Sequence, residues 1–201
     1  RVIEEFRKQS IPVVLVNNYL DMDGLVCISA DHYGGAVQAT EYLCKLGHCK
    51  IGLLSGRFSP QVSEARIEGF VKTLAKYDIP VDDRFIADIE PALEDGEEIM
   101  TRMLRGVDRP TAFFCTNDTI AAGAMKAVTR AGLRVPEDIA IIGFDDSYIS
   151  RVVEPELTTV RIDAAKMGCL AMQTLFDLIA GMPVEKAHIQ IPTELIVRGT
   201  A

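Results

Sequence analysis

No stretch of the chain approaches the ~18 to 20 consecutive apolar residues of a membrane-spanning helix, so no helical span is expected within these residues. Catalytic signatures are equally scarce. Ser55 precedes Gly56 in IGLLSGR, but the G-x-S-x-G spacing of a nucleophile elbow is missing. Gly34-Gly35 is not a G-x-G-x-x-G loop, and LSGRFSPQ lacks the Lys-Ser/Thr pair of a phosphate loop. Close packing of a helix on a strand explains these glycines more simply. With neither a nucleophile-base pair nor a cofactor loop, no enzyme and no cofactor are expected. Histidine occurs three times, at His32, His48 and His188, and His48 falls at a predicted helix end.

Positive charge is in deficit. Lys and Arg number 21 against 29 Asp and Glu, a net charge of −8, which makes the chain a poor candidate for gripping a phosphate backbone by itself. The five cysteines (Cys27, Cys44, Cys49, Cys115, Cys169) are odd in number and lie in apolar or helical contexts, which fits reduced thiols in a cytoplasm. Cys44, His48 and Cys49 match no standard zinc spacing and lack a fourth ligand, and Asp145-Asp146 has no companion carboxylates, so no metal is expected. The opening RVIEEFRKQS is charged, reads as the end of a helix rather than a secretory leader, and carries no initiator Met, as a piece of a longer chain would.

What is present is alternation. Apolar strand-like runs at 12–16, 25–29, 51–54, 84–89, 113–116 and 139–144 alternate with helical patterns at 35–46, 63–76, 93–104 and 118–130. An extended run at 157–162, a helix at 164–179 and short strands at 189–191 and 195–197 follow. This order predicts an α/β fold with parallel sheet covered on both faces. Within FFCTNDTIAAGAMKAV the chain passes from a buried strand to an Ala-rich helix, whose first turn Asp118 or Thr119 can cap.

Polar residues follow each strand: Asn17 and Asn18, Asp31 and His32, Arg57, Glu90, Asn117 and Asp118, Asp145 and Asp146. In open α/β sheets ligands bind outside the carboxyl ends of the strands, so these residues predict a polar cleft along one edge. Asn117 offers a donor and an acceptor, Asp145 two acceptors, and Arg66, on the flank of its helix's apolar stripe, a fork for hydroxyls or a carboxylate. Each also has a plainer reading, as a helix cap, a turn residue and a surface salt bridge; their coincidence on one edge favours a site.

Five phrases in order resemble one family: LGHCKIGLLSG, Arg66 before EGF, RPTAFFCTNDTIAAGAMKA, GLRVPEDIAIIGFDD and PELTTVRIDAAKMG. Together, over residues 11–198, the sequence resembles the effector-binding core of the lac and galactose repressor family. The resemblance implies a periplasmic-binding-protein-like, two-lobed body with three crossovers, near residues 30–32, 161–164 and 192. One lobe would be 32–162 with 192–201. The other, 1–31 with 163–191, would lack its usual opening elements, and the family's DNA-binding head and hinge helix would precede residue 1. The family's ligand positions fall on Asn17, Arg66, Ile89, Asn117 and Asp145. Asn17 stands where Asp is common, and Ile89 where an aromatic ring is common, which removes a stacking face and leaves the ligand's identity open. The resemblance also implies a homodimer, through the helix 118–130 and the loop 147–154, with Met125, Ile149, Val152 and Val153 supplying apolar surface; the plainer reading makes these core or loop residues.

The functional expectation is a cytoplasmic sensor: a small, sugar-like effector closes the lobes of a dimeric repressor and alters operator binding through a DNA-binding domain outside this chain. The alternative is a periplasmic sugar-binding protein of a transport system, which the free cysteines and the RVPEDIAIIGFDD phrase disfavour.

Overall fold

A computed structural model describes residues 2–20, 22–106, 108–184 and 187–201. The chain forms two compact units, Arg1–Asp31 with Asp163–Pro192, and His32–Ile162 with Thr193–Ala201.

The smaller unit holds α1 (Val2–Lys8), β1 (Val14–Val16) and β2 (Val26–Ala30), and later α6 (Ala164–Ile179) and β8 (His188–Ile191). Its three strands run parallel in the order β1-β2-β8. β2 is buried along its whole length, as a central strand of an apolar sheet must be, and α6 packs on β1 and β2.

The larger unit contains α2 (His32–Lys45), β3 (Ile51–Gly56), α3 (Pro60–Lys76), β4 (Ile86–Ile89), α4 (Leu93–Met103), β5 (Ala112–Cys115), α5 (Asp118–Arg130), β6 (Ala140–Asp145), β7 (Thr158–Arg161) and β9 (Glu194–Ile196). The sheet order is β4-β3-β5-β6-β7-β9, parallel except for β9, which runs antiparallel to β7. Successive strand residues point to opposite faces, and the core shows it: Phe113 packs with Leu54, Ile120 and Ile141 on one side, Phe114 with Leu53, Phe70 and Ile142 on the other. Both rings are fully buried, each worth about 2–3 kcal/mol against exposure.

The helices have local causes for their limits. Gly47 takes a φ of +90° just past α2, and the Gly47 and His48 amides close back on Cys44 and Leu43, a glycine-terminated helix end. Pro60 opens α3, where its missing N–H costs nothing. A Cβ on Gly35 would lie 2.7 Å from the Phe144 ring, so close helix-on-strand packing does account for that glycine.

Two points of the residue-by-residue reading need refinement. Strand exits alone suggested a single edge, but the strands fall into two sheets, as the resemblance implied, so Asn17 and Asp31 stand on the smaller sheet while Arg57, Glu90, Asn117 and Asp145 belong to the larger. Apolarity marks a strand as buried but not which sheet it joins. The caps also differ: α5 is capped by Asn117, whose Oδ1 accepts from the Ile120 amide at 2.8 Å, not by Asp118 or Thr119. Asp118 instead turns its carboxylate inward, to Thr159 and Ser147.

Candidate functional site

The site is built at the carboxyl ends of β3, β5 and β6. The Gly56 amide at the end of β3 donates to Thr116 Oγ1 at 2.7 Å, pinning the exits of β3 and β5 together. Asn117 then uses its carbonyl oxygen on the helix cap, and its amide nitrogen makes no hydrogen bond with the described residues. The cap and the site readings are therefore compatible: one end of the side chain is structural, and the other keeps its donors.

Arg66 comes from the middle of α3 and is 2% exposed. Its guanidinium lies 3.8 Å from the centroid of Phe144 and 5.0 Å from that of Phe58, a desolvated cation–π arrangement. Nη1 donates to the Thr116 carbonyl. Nη2 donates to Asp145 Oδ1 at 3.2 Å. Nε and Nη2 both approach His32 Nδ1, at 3.4 and 3.2 Å. The expected salt bridge thus exists, with its arginine end buried and its carboxylate end 37% exposed rather than wholly on the surface. His32, the first residue of α2, appeared in the sequence only as one of several polar residues after a strand; nothing in the local pattern marked it as a partner of Arg66.

Asp145 ends β6 with a φ of +110°, and Asp146 follows at +51°. Non-glycine residues held at such angles cost about 1–3 kcal/mol each and persist only where the surroundings impose them. Two carboxylates impose them here. Asp118 Oδ2 accepts from the Ser147 amide at 2.6 Å. Asp146, whose side chain is 3% exposed, accepts from Arg198 at 2.6 Å, Arg161 at 2.7 Å and Ser150 at 3.0 Å. Asp146 is therefore an internal ion-pair hub, and among the described residues no three His, Cys, Asp or Glu side chains form a metal-binding group.

The electrostatics follow from burial. Desolvation pushes Asp145 up to about 6, against the pull of Arg66. Desolvation and the neighbouring Arg66 push His32 down to about 3, so the imidazole is neutral at physiological pH. For Asp146, burial alone would raise the pKa, but bonds from Arg198, Arg161 and Ser150 outweigh it and hold the group low. At neutral pH the edge carries a charged Arg66–Asp145 pair, a neutral His32 and the free amide of Asn117: donors and acceptors interleaved with no net charge. Such a set matches neutral hydroxyls, which both give and take hydrogen bonds.

The remaining predicted residues lie elsewhere. Asn17 follows β1 in the smaller unit, exposed, at a φ of +54°, with its amide donating to Ile28 O at 2.7 Å. Ile89 ends β4, packs partly buried against the α4/α5 core, and accepts from the Arg57 amide at 2.9 Å. Met125 is 5% exposed within that core, which corrects the expectation that it supplies surface. The Ala-rich helix α5 is enclosed on most of its circumference, and a small-residue helix leaves a large side chain nowhere to go but inward. Ile149 and Val153 are half-buried, while Val152 is exposed, beside Tyr148 at 82% exposure, which the sequence reading missed.

Residues 40–201 match the family described as periplasmic binding protein-like domain. The chain is 35% identical over 196 residues to the probable HTH-type transcriptional repressor ExuR of Bacillus subtilis, covering 98% of this chain and 59% of that protein. It is similar to a solved regulatory protein of the LacI family from Chloroflexus aggregans, with a TM-score of 0.91 and 31% identity over 98% of this chain and 71% of that one. The complex of the transcriptional regulator CelR with cellobiose superposes with a TM-score of 0.91 and 25% identity, over 100% of this chain and 62% of that one. The chain therefore spans well under two thirds of the length of its ExuR relative, and it belongs to the LacI family through that family's periplasmic-binding-protein-like, effector-binding region.

Proposed function

We propose that this chain is the effector-binding and dimerisation region of a cytoplasmic transcriptional repressor. A small, neutral, hydroxylated metabolite of the carbohydrate type binds at the carboxyl edge of the six-stranded sheet. Arg66, Asn117 and Asp145 contact it there, and Ile89 lines the edge. The observation that carries this reading is the buried Arg66 guanidinium, paired with the half-exposed Asp145 carboxylate, beside the uncommitted amide of Asn117. Asn17 contributes from the matching edge of its own sheet. The units 1–31 with 163–192 and 32–162 with 193–201 act as the two lobes of the effector domain.

A ligand alters DNA binding only by preferring one of two conformations, so the effector shifts a pre-existing equilibrium of the repressor. DNA itself is contacted by a segment outside these 201 residues, in keeping with their net charge of −8. Homodimerisation uses the exposed surface of Tyr148 and Val152, with Ile149 and Val153 beneath it. The ExuR relative is a repressor and the CelR relative binds cellobiose, and both favour the sensor over a transport-associated binding protein.

Thermal shift and calorimetric titration with cellobiose, glucose, galactose, ribose, sugar phosphates and nucleobases test the site. Arg66→Ala and Asp145→Ala are expected to weaken any response at least about tenfold, roughly 1.4 kcal/mol or more. Variants that respond like the parent would place the site elsewhere. Operator retention by the full-length protein, with and without the ligand found, then separates repressor from transporter.

A further inference from the structure

His32 is the first residue of α2 and is 5% exposed. Its Nδ1 faces two nitrogens of Arg66, Nε at 3.4 Å and Nη2 at 3.2 Å. A guanidinium has donors only, so Nδ1 must accept, and the single proton of the neutral ring then resides on Nε2. That Nε2 is buried and has no hydrogen-bond partner among the described residues. The ring could satisfy Nε2 only in another orientation or tautomer that gives up Arg66. An orphaned buried donor is uncommon in native proteins, and its retention indicates that the contact with Arg66 dictates the orientation. Phe144, 6.0 Å from the imidazole by ring centroids, also lies 3.8 Å from the Arg66 guanidinium carbon, so one aromatic ring backs both groups.

We propose that His32 is a positioning residue of the effector site, acting as a neutral acceptor that fixes the guanidinium of Arg66 for ligand contact. The inference rests on the assignment of Arg66 to that site. Three fixed acceptors hold the guanidinium from different directions: the Thr116 carbonyl takes Nη1, Asp145 takes Nη2, and His32 takes the Nε side. Of these, only His32 is uncharged and contributed by a side chain. It therefore orients Arg66 without adding a second negative charge that would compete with the ligand's own acceptors. Burial and Arg66 itself keep the ring from protonating, which preserves the acceptor.

The test begins without a ligand. Long-range ¹H–¹⁵N spectra of the labelled protein, with the three histidines assigned through correlations to their backbone resonances, are expected to show His32 protonated at Nε2 and bare at Nδ1. The Nε–H of Arg66 should exchange slowly with solvent. His32→Asn places an amide oxygen where Nδ1 stands and should preserve that protection. His32→Leu has no acceptor, and His32→Gln carries its oxygen farther out; both should speed Arg66 exchange by about tenfold or more. A proton on Nδ1 in the parent, or undiminished Arg66 protection in His32→Leu, overturns the proposal, and the first readout needs no variant to fold.

Titration of the same proteins with cellobiose, glucose, galactose and ribose supplies the functional half. His32→Leu and His32→Gln should bind about tenfold more weakly while His32→Asn stays near the parent, a rescue that loss of packing alone would not produce. If Arg66→Ala binds these sugars as the parent does, the site assignment fails, and the role of His32 reduces to packing. If Arg66→Ala loses binding and all His32 variants keep it, only the positioning role of His32 fails.

Discussion

Asp118 and Thr159 meet in a 2.5 Å hydrogen bond, the Thr159 hydroxyl on β7 donating to the carboxylate that begins α5. The other carboxylate oxygen accepts from the Ser147 amide at 2.6 Å, so one buried side chain ties α5, β7 and the turn after β6 together. Gly143 lies beneath it, and a Cβ there would collide with Asp118 Oδ1. The geometry of the Asp145 turn thus depends on a residue that does not itself contact Arg66 in any described bond.

Asp118→Ala should leave the buried Thr159 hydroxyl without its acceptor and release the amide of the exposed Ser147. The expected cost is about 1–3 kcal/mol of unfolding free energy, read from urea denaturation. Any ligand response should fall with it, because the turn presenting Asp145 loses its anchor. An unchanged midpoint would show that the two donors find water or other partners.

Asp146→Ala removes the carboxylate shared by Arg151, Arg161 and Arg198, leaving only Glu194 near Arg161 and Glu156 near Arg198. Breaking a fully buried pair costs about 3–5 kcal/mol, and with Arg161 41% exposed the expected loss here is smaller, about 2–3 kcal/mol. Chemical denaturation reads the effect. A loss below about 1 kcal/mol would show that the hub is screened like an exposed pair.

The pH dependence of stability should contain two opposed contributions. His32 falls from 6.5 to about 3, so its stabilising contribution is complete above about 6.5 and is lost as pH drops toward 3. Asp145 rises from 3.8 to about 6, so its contribution is complete below about 3.8 and is lost as pH climbs to 6. Between about pH 4 and 6 the two act in opposite directions. Asp145→Asn should therefore make stability rise more steeply with pH across this window, and His32→Asn should flatten or reverse the rise. Denaturation series at four or more pH values spanning this window decide it; profiles parallel to the parent would contradict both assignments.

Two glycines should respond oppositely to alanine. In α5, a Cβ on Gly123 would strike the Leu93 carbonyl and lie 2.8 Å from the Glu97 amide, so Gly123→Ala must push α4 away and should cost about 2–3 kcal/mol. Gly168, exposed in α6, has nothing within 4 Å of the added carbon, so Gly168→Ala should stabilise its helix by about 0.5–1 kcal/mol. Melting curves of both variants test whether space or propensity governs each position.

Elements with a strong periodic signal are legible in the sequence alone. The run IAIIGF reads as a central strand and becomes β6, and the spacing of Ile67, Phe70, Val71 and Leu74 reads as a helix and becomes part of α3. Boundaries are less legible. α2 begins at His32 rather than Gly35, because tertiary contacts with β6 tolerate a glycine pair in its first turn. Met125 shows the same limit from another side: a helix's apolar residues do not reveal whether one face or nearly all of it is covered.

The candidate site is half visible. Asn117 and Asp145 stand out because a strand's exit leaves polar groups near a sheet yet free of it, and Arg66 because it flanks the apolar stripe of its helix. His32 does not stand out, because its partner is 34 positions away and no local pattern encodes that meeting.

The sequence by itself determined which segments are strands and helices, which strand runs are buried, and that several polar groups wait at strand exits, because periodicity and hydrophobic burial act over a few neighbouring residues. Which sheet each strand joins was not legible from the residues themselves and came only through the family resemblance. Only the tertiary structure decided that the Arg66 guanidinium is buried against a half-exposed Asp145, that a neutral histidine faces it, and that Asp118 and Asp146 hold the strained turn. Those outcomes depend on which distant groups share a desolvated space, where a charge must find its partner or not be buried at all.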